Sequence, residues 1–191
     1  MFVGTHICRD SAGLVAAPTP LCYNLSRMGE ALKRRIKQTA DFANPAQEAM
    51  LNLIVAADYV HTRLERVCAG FGITRPQYNV LRILRGAHPG GHPRTEIAAR
   101  LLASAPDVTR LVDRLQAQGL VERDRVEEDR RLSITRITKK GLRLLEKMQP
   151  HISQEHERFS LKVSRSECLE LSRICETIYD EARNDAPGDV D

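Results

Sequence analysis

A 191-residue chain with 42% hydrophobic and 28% charged residues has a globular composition and room for a small recognition module on a helical scaffold. It contains no Trp and only 4% aromatic residues, which disfavours a base-stacking platform for single-stranded nucleic acid. The formal charge is +4, and the segment from Arg94 to Arg143 alone carries 12 Lys+Arg against 8 Asp+Glu, so the basic surplus is concentrated there.

Five cysteines, Cys8, Cys22, Cys68, Cys168 and Cys175, include no C-x-x-C pair and are odd in number, which signals neither a disulfide framework nor a zinc finger. Free thiols in a cytoplasmic protein are the expectation. No run approaches the roughly 18 apolar residues of a membrane span. The mild stretch Gly13 to Ala17, preceded by Arg9 and Asp10 and ended by Pro18 and Pro20, is a poor secretion signal. Residues 1–27 read as a loose extension, with Met28 as an alternative start.

From Ala46 to Ala69, Met50, Leu53, Ile54, Ala57, Val60, Leu64 and Val67 recur at three-four spacing and predict a long amphipathic helix, ended by Gly70 and Gly72. Thr74 to Gln77 forms a capping box with an Ile73/Tyr78 staple, opening a helix that runs to about Gly86. Residues 87–93, rich in Pro and Gly, read as a loop. Thr95 is expected to cap a short helix carrying Ile97, Ala98, Leu101 and Leu102. Ser104-Ala105-Pro106-Asp107 is expected to start the next helix, with an S-x-x-D box and Pro in its first turn, and Gly119 stops it.

Val121 to Arg125 and Leu132 to Ile137 predict a hairpin around the polar turn Val126 to Arg131. Thr138 opens a further helix with Leu142, Leu145, Met148, Ile152, His156 and Phe159 on one face, in which Pro150 predicts a kink or a break. A last capping box, Ser164 to Glu167, leads a helix with Cys168, Leu171, Cys175, Ile178 and Ala182 on one side. Asn184 to Asp191 reads as a frayed acidic tail.

Short helix, turn, helix and two-stranded hairpin in that order make the plan of a winged helix-turn-helix, whose second helix enters the major groove of duplex DNA. The predicted fold class is mainly α with a small β-hairpin wing. The expected organisation is an extension at 1–27, N-terminal helices of a dimerisation region at 28–72, the winged module at 73–143, C-terminal dimerisation helices at 144–184 and a tail at 185–191.

Val108, Leu111, Val112 and Leu115 cluster within about 100° of a helical wheel and form the inward face of the second helix. Pro106, Thr109, Arg110, Asp113 and Ala117 point away from them, with Arg114 at the edge. Arg forks to guanine O6 and N7, and Thr meets a thymine methyl or a phosphate. Backbone N–H groups from Ser104 to Asp107 offer phosphate donors, and Thr95 is a further candidate at the start of the preceding helix. In the hairpin Arg123, Arg125, Arg130, Arg131 and Arg136 gather around one turn, where Asp129 is placed to brace Arg131 toward a narrow minor groove. The plain alternative is that exposed Arg residues are merely solvated, with Asp113 pairing Arg110 or Arg114 along the surface.

The ordered set Ile97-Ala98-Ala99-Arg100-Leu101, Asp107-Val108-Thr109-Arg110-Leu111-Val112-Asp113-Arg114-Leu115, Gly119-Leu120-Val121-Glu122-Arg123, Glu128-Asp129-Arg130-Arg131 and Ile137-Thr138-Lys139-Lys140-Gly141 resembles the MarR (multiple antibiotic resistance regulator) family from about Ala46 to Ala182. The resemblance implies a triangular homodimer with intertwined first and last helices, holding two winged modules to a pseudo-palindromic operator. It implies that Ser104 through Arg110 face the major groove and that Arg131, supported by Asp129 and next to Arg130, reaches the minor groove. It further implies a repressor released by a small phenolic or amphipathic effector or by thiol oxidation. Residues 1–27 fall outside it.

A redox sensor of the same fold would need a reactive thiol, but Cys68 ends its helix, and Cys168 and Cys175 lie about 10 Å apart by helical rise, too far for a mutual bridge. His88 with His92, and His151 with His156, lack the spacing and the partners of a metal site, and no cofactor is expected. No phosphate loop, G-x-S-x-G or tied nucleophile suggests an enzyme. A winged module used only for protein contacts is the remaining rival. An effector pocket between dimer helices and module is a hypothesis with His61, Cys68, Tyr78 and Arg82 as lining, positions that equally suit ordinary core and surface.

Overall fold

The computed structural model describes residues 29–102, 107–125 and 133–180. Its elements are α1 (Glu30–Ile36), α2 (Pro45–Gly70), α3 (Arg75–Gly86), β1 (His92–Pro93), α4 (Arg94–Ala99), α5 (Val108–Ala117), β2 (Val121–Arg125), β3 (Ser133–Ile137), α6 (Lys139–Ser160) and α7 (Arg165–Tyr179). The architecture is mainly helical with one small antiparallel sheet, as the sequence predicts. Among the described residues no helix is long and apolar enough to cross a membrane.

The chain divides into two compact units after Ala57. In the first, α1 carries the basic run Lys33-Arg34-Arg35 and stops at Lys37, whose φ of 56° is left-handed. Lys33 pairs with Asp41 and with Glu30, and Leu32 is buried. Asn44 Oδ1 accepts the Ala46 N–H at 2.8 Å, which satisfies a free donor at the start of α2.

The second unit contains the winged module. Cys68, Ile73, Val80, Leu81, Leu84, Ile97, Val112, Leu115, Leu120, Val121, Ile137, Leu145 and Met148 form one continuous buried cluster drawn from seven elements and their junctions. Thr74 and Gln77 close the expected capping box at α3. Strand order is β1-β3-β2, with Val121 opposite Ile137 and Arg125 opposite Ser133. At the end of α5, Gly119 (φ 67°) lets its own N–H reach the Gln116 carbonyl at 2.8 Å and the Leu120 N–H reach Leu115 at 2.9 Å. That pair of bonds is a Schellman stop, and it turns the chain directly into β2.

Four local expectations are corrected. Residues 87–93 are not loop throughout, because His92 and Pro93 pair with Thr135 and Ile134 of β3. An edge position needs no donor facing solvent, so Pro93 is tolerated there. Thr95 does not cap its helix: Pro93 arrives extended (φ −68°, ψ 159°), α4 begins at Arg94, and Thr95 sits exposed inside the first turn. The next helix begins at Val108 rather than around Pro106, with Asp107 as its N-cap, so the last residue of the expected box performs the capping. Finally, of the kink or break expected at Pro150, the break does not occur: α6 runs from Lys139 to Ser160 through Pro150, which lies on the exposed side between buried Met148 and Ile152. There the carbonyl that loses its N–H partner can be met by water.

Beyond the module, Arg63 of α2 makes a two-pronged pair with Glu155 of α6, Nη2 lying 3.0 Å from Oε1. Lys162 donates to the Tyr59 hydroxyl at 3.1 Å. Ser164 and Glu167 form the last capping box as expected. No residue of α7 is buried, and Leu169, Ile178 and Tyr179 are 65%, 60% and 70% exposed.

Candidate nucleic-acid interface

The reading helix α5 is set by its own sequence. Asp107 Oδ1 accepts the Arg110 N–H at 2.9 Å, and Oδ2 meets Arg110 Nε at 3.0 Å. A carboxylate at this end also complements the positive end of the helix dipole. Val108, Val112 and Leu115 are buried and Leu111 is partly buried against the same core, which leaves the opposite side exposed. Arg110, Asp113 and Arg114 occupy that exposed side.

Thr109 lies between the two faces, half-buried, and its hydroxyl accepts from Arg94 Nη1 at 3.0 Å. Arg123, half-buried on β2, reaches across to α5. Its Nη2 lies 2.6 Å from Asp113 Oδ1 and 3.4 Å from the Thr109 carbonyl oxygen. Asp113 therefore pairs across elements rather than with Arg110 or Arg114 along its helix. Arg136 of β3 donates from Nε to the Gly90 carbonyl at 3.1 Å and pairs with Asp124 of β2. Of the five guanidiniums expected around one turn, these two brace the module internally.

Sequence reasoning missed the participation of Arg94 and the Arg123–Asp113 link. A usable signal was present: strand alternation puts Arg123 on the same face as buried Val121, and Asp113 lies one helical turn after Thr109. Beside α5, Arg94, Thr95, Thr109, Arg123, Ser133 and Thr135 line a cleft of about 280 Å³. Two guanidiniums and four hydroxyls make its wall a donor surface suited to oxygen anions.

Ser104, Ala105, Pro106, Asp129, Arg130, Arg131 and the side chain of Arg125 lie outside the described residues. The four pocket residues are not alike in setting. His61 is exposed and borders a shallow recess of about 360 Å³ with Thr62, Glu65 and Arg66. Tyr78 is half-buried with the Arg82 guanidinium 6.0 Å from its ring centre. Cys68 is fully buried, and burial pushes its thiol up to about 11. A thiol held protonated in the core lacks the thiolate character of an oxidation sensor.

The model of the MarR family matches residues 71–132, the span from the end of α2 to the hairpin turn. A MarR transcription factor from Planctomyces limnophilus, known from its crystal structure, is 39% identical over 72% of this chain and 99% of its own, with a TM-score of 0.57. The transcriptional repressor IacR of Pseudomonas putida is 28% identical over 61% of this chain and 68% of its own. PcaV of Streptomyces coelicolor, a transcriptional regulator crystallised with its natural ligand, shares the fold at 23% identity, with a TM-score of 0.58 over 75% of this chain and 98% of its own. The chain belongs to the MarR family of winged helix-turn-helix, DNA-binding transcription regulators.

Proposed function

We propose that the protein is a cytoplasmic homodimeric repressor that holds a pseudo-palindromic duplex and releases it when a small phenolic or amphipathic molecule binds. The observation that carries the DNA-reading part is the two-sidedness of α5: Val112 and Leu115 are locked into the core while Arg110 and Arg114 stand free of it on the opposite side. In this reading Arg110 and Arg114 contact bases and phosphates, with Thr109, Asp107 and the preceding Ser104, Ala105 and Pro106 close to the major groove. Arg131, with Asp129 and Arg130, serves the minor groove from the wing, and Thr95 meets the backbone.

Dimerisation is supported by apolar faces that find no cover within their own units. Met50 and Ile54 of α2 are 65% and 62% exposed in the first unit, and no residue of α7 is buried in the second. A two-fold pair would bury them and match a two-fold operator. Ligand release is supported by the bound natural ligand of PcaV, and repression by the name of the Pseudomonas relative.

The test is selection of bound sequences from a random duplex pool, followed by affinity against salt. A symmetric consensus is expected, with two complete half-sites and a steep fall in affinity as salt rises. Arg110→Ala should cost about 1–3 kcal/mol of discrimination at one position of each half-site. Selection without a consensus, or Arg110→Ala reading the same sequence with unchanged affinity, would overturn this assignment. Screening phenolic acids for release of the selected duplex then tests the effector part.

A further inference from the structure

We propose that Arg123 is a positioning residue for DNA reading, fastening α5 to the wing strand β2 so that helix and wing present themselves as one rigid unit. It deepens the DNA-binding reading above and rests on it. Three elements meet at the first turn of α5. Arg123 Nη2 grips Asp113 Oδ1 at 2.6 Å and the Thr109 carbonyl at 3.4 Å, two acceptors one helical turn apart. Arg94, the first residue of α4, donates to the Thr109 hydroxyl at 3.0 Å. The same β2 strand continues toward the hairpin turn through Arg125, so the grip is on the strand that leads into the wing.

A guanidinium has five donors in a fixed plane, and one that holds two acceptors on one helix fixes its roll as well as its distance. Arg123 is 28% exposed and so is partly shielded from the water that weakens surface pairs, whereas Asp113 is 53% exposed on the side of α5 that carries Arg110 and Arg114. A carboxylate there is unfavourable for a duplex by charge alone. Its role is therefore read from the pair: Asp113 is the handle by which Arg123 turns the helix.

Opposite signs of effect separate this from simple electrostatics. If Arg123 were a phosphate contact, Asp113→Asn would remove a nearby negative charge and tighten binding, while Arg123→Gln would lower the salt slope by about 0.9. The clamp requires the reverse. Asp113→Asn and Arg123→Gln should each lower affinity for the selected duplex about ten-fold, and the double variant should be no worse than either single.

The experiment measures wild type, the two single variants and the double variant on the duplex selected by wild type and on a scrambled duplex of the same length, across a salt series. Thermal unfolding is followed in parallel. The expected result is loss confined to the selected duplex, unchanged salt slope, unchanged scrambled-duplex affinity, and partial rescue by Arg123→Lys. Tighter binding by Asp113→Asn, additive losses in the double variant, or equal losses on both duplexes would overturn the clamp while leaving DNA reading intact. Wild type that selects no sequence would overturn both.

Discussion

The winged module and the terminal helix α7 are built from the same local chemistry and meet different tertiary fates. Both α3 and α7 open with a complete capping box, Thr74 with Gln77 and Ser164 with Glu167, and both carry an apolar stripe. In α3 that stripe is sealed, with Val80, Leu81 and Leu84 at 0% exposure. In α7 no side chain is sealed: Cys168 and Cys175 are half-buried, and Leu171 and Ile174 remain 42% and 44% exposed. Capping and periodicity make a helix, whereas burial requires surfaces on several sides. The module supplies those surfaces to itself from sheet and helices, whereas no residue of α7 is buried.

Core truncation in the module should therefore be the largest effect and should not depend on protein concentration. Leu115→Ala removes a fully buried side chain where α5 meets the core and is expected to cost about 2–5 kcal/mol in denaturant unfolding. Ile178→Ala, at 60% exposure, should cost little at low concentration and instead weaken self-association in sedimentation equilibrium. A concentration-independent loss at Ile178 as large as that at Leu115 would break the contrast, because it would mean that α7 has a partner within its own chain.

A second test compares two glycines at helix ends. A methyl group on Gly141 would lie 2.4 Å from the Leu120 carbonyl oxygen and 2.7 Å from Ile137 Cγ1, so the start of α6 sits against the end of the Schellman turn with no room between. On Gly86, closing α3, it would meet nothing within 4 Å. Gly141→Ala should destabilise by about 1–3 kcal/mol as an overpacked core position. Gly86→Ala should be near neutral in the same thermal melts. Equal melting temperatures for the two variants would show that the α6 junction yields more readily than the packing implies.

Most of the fold was legible in the sequence, because its signals are local. Thr74, Thr138 and Ser164 cap where their spacing predicts, and Val121 to Arg125 is a strand with its expected bounds. The exceptions depend on neighbours. His92 and Pro93 became a strand only because β3 lies alongside, and once it does, the extended chain starts α4 before Thr95 is reached. The winged order and the inward face of α5 were legible for the same local reason, as was the exposure of Arg110 and Arg114. Cross-element pairs such as Arg123 with Asp113 were not, since an arginine in sequence looks the same whether it reaches for solvent or for a helix ten residues earlier.

The smallest expected effect separates Cys68, in the buried cluster at the end of α2, from the cysteines of α7. Cys68 keeps its proton to about pH 11 in the folded protein, chiefly because burial disfavours the thiolate, whereas an unfolded cysteine releases it at about 8.5. Between those two values the unfolded chain binds fewer protons than the native one, so the contribution from Cys68 is complete below about pH 8.5 and declines as pH rises toward 11. Cys68→Ser should flatten that alkaline decline in urea titrations, with the part due to Tyr78, whose burial also raises its hydroxyl, remaining. At neutral pH the native wild type and Cys68→Ser should react with the same number of equivalents of an aromatic disulfide reagent, because the half-buried Cys168 and Cys175 are accessible in part and Cys68 is not. One equivalent fewer in Cys68→Ser would show that the core opens at Cys68 and that its thiol is reactive, against the tight packing that otherwise sets this cluster apart from α7.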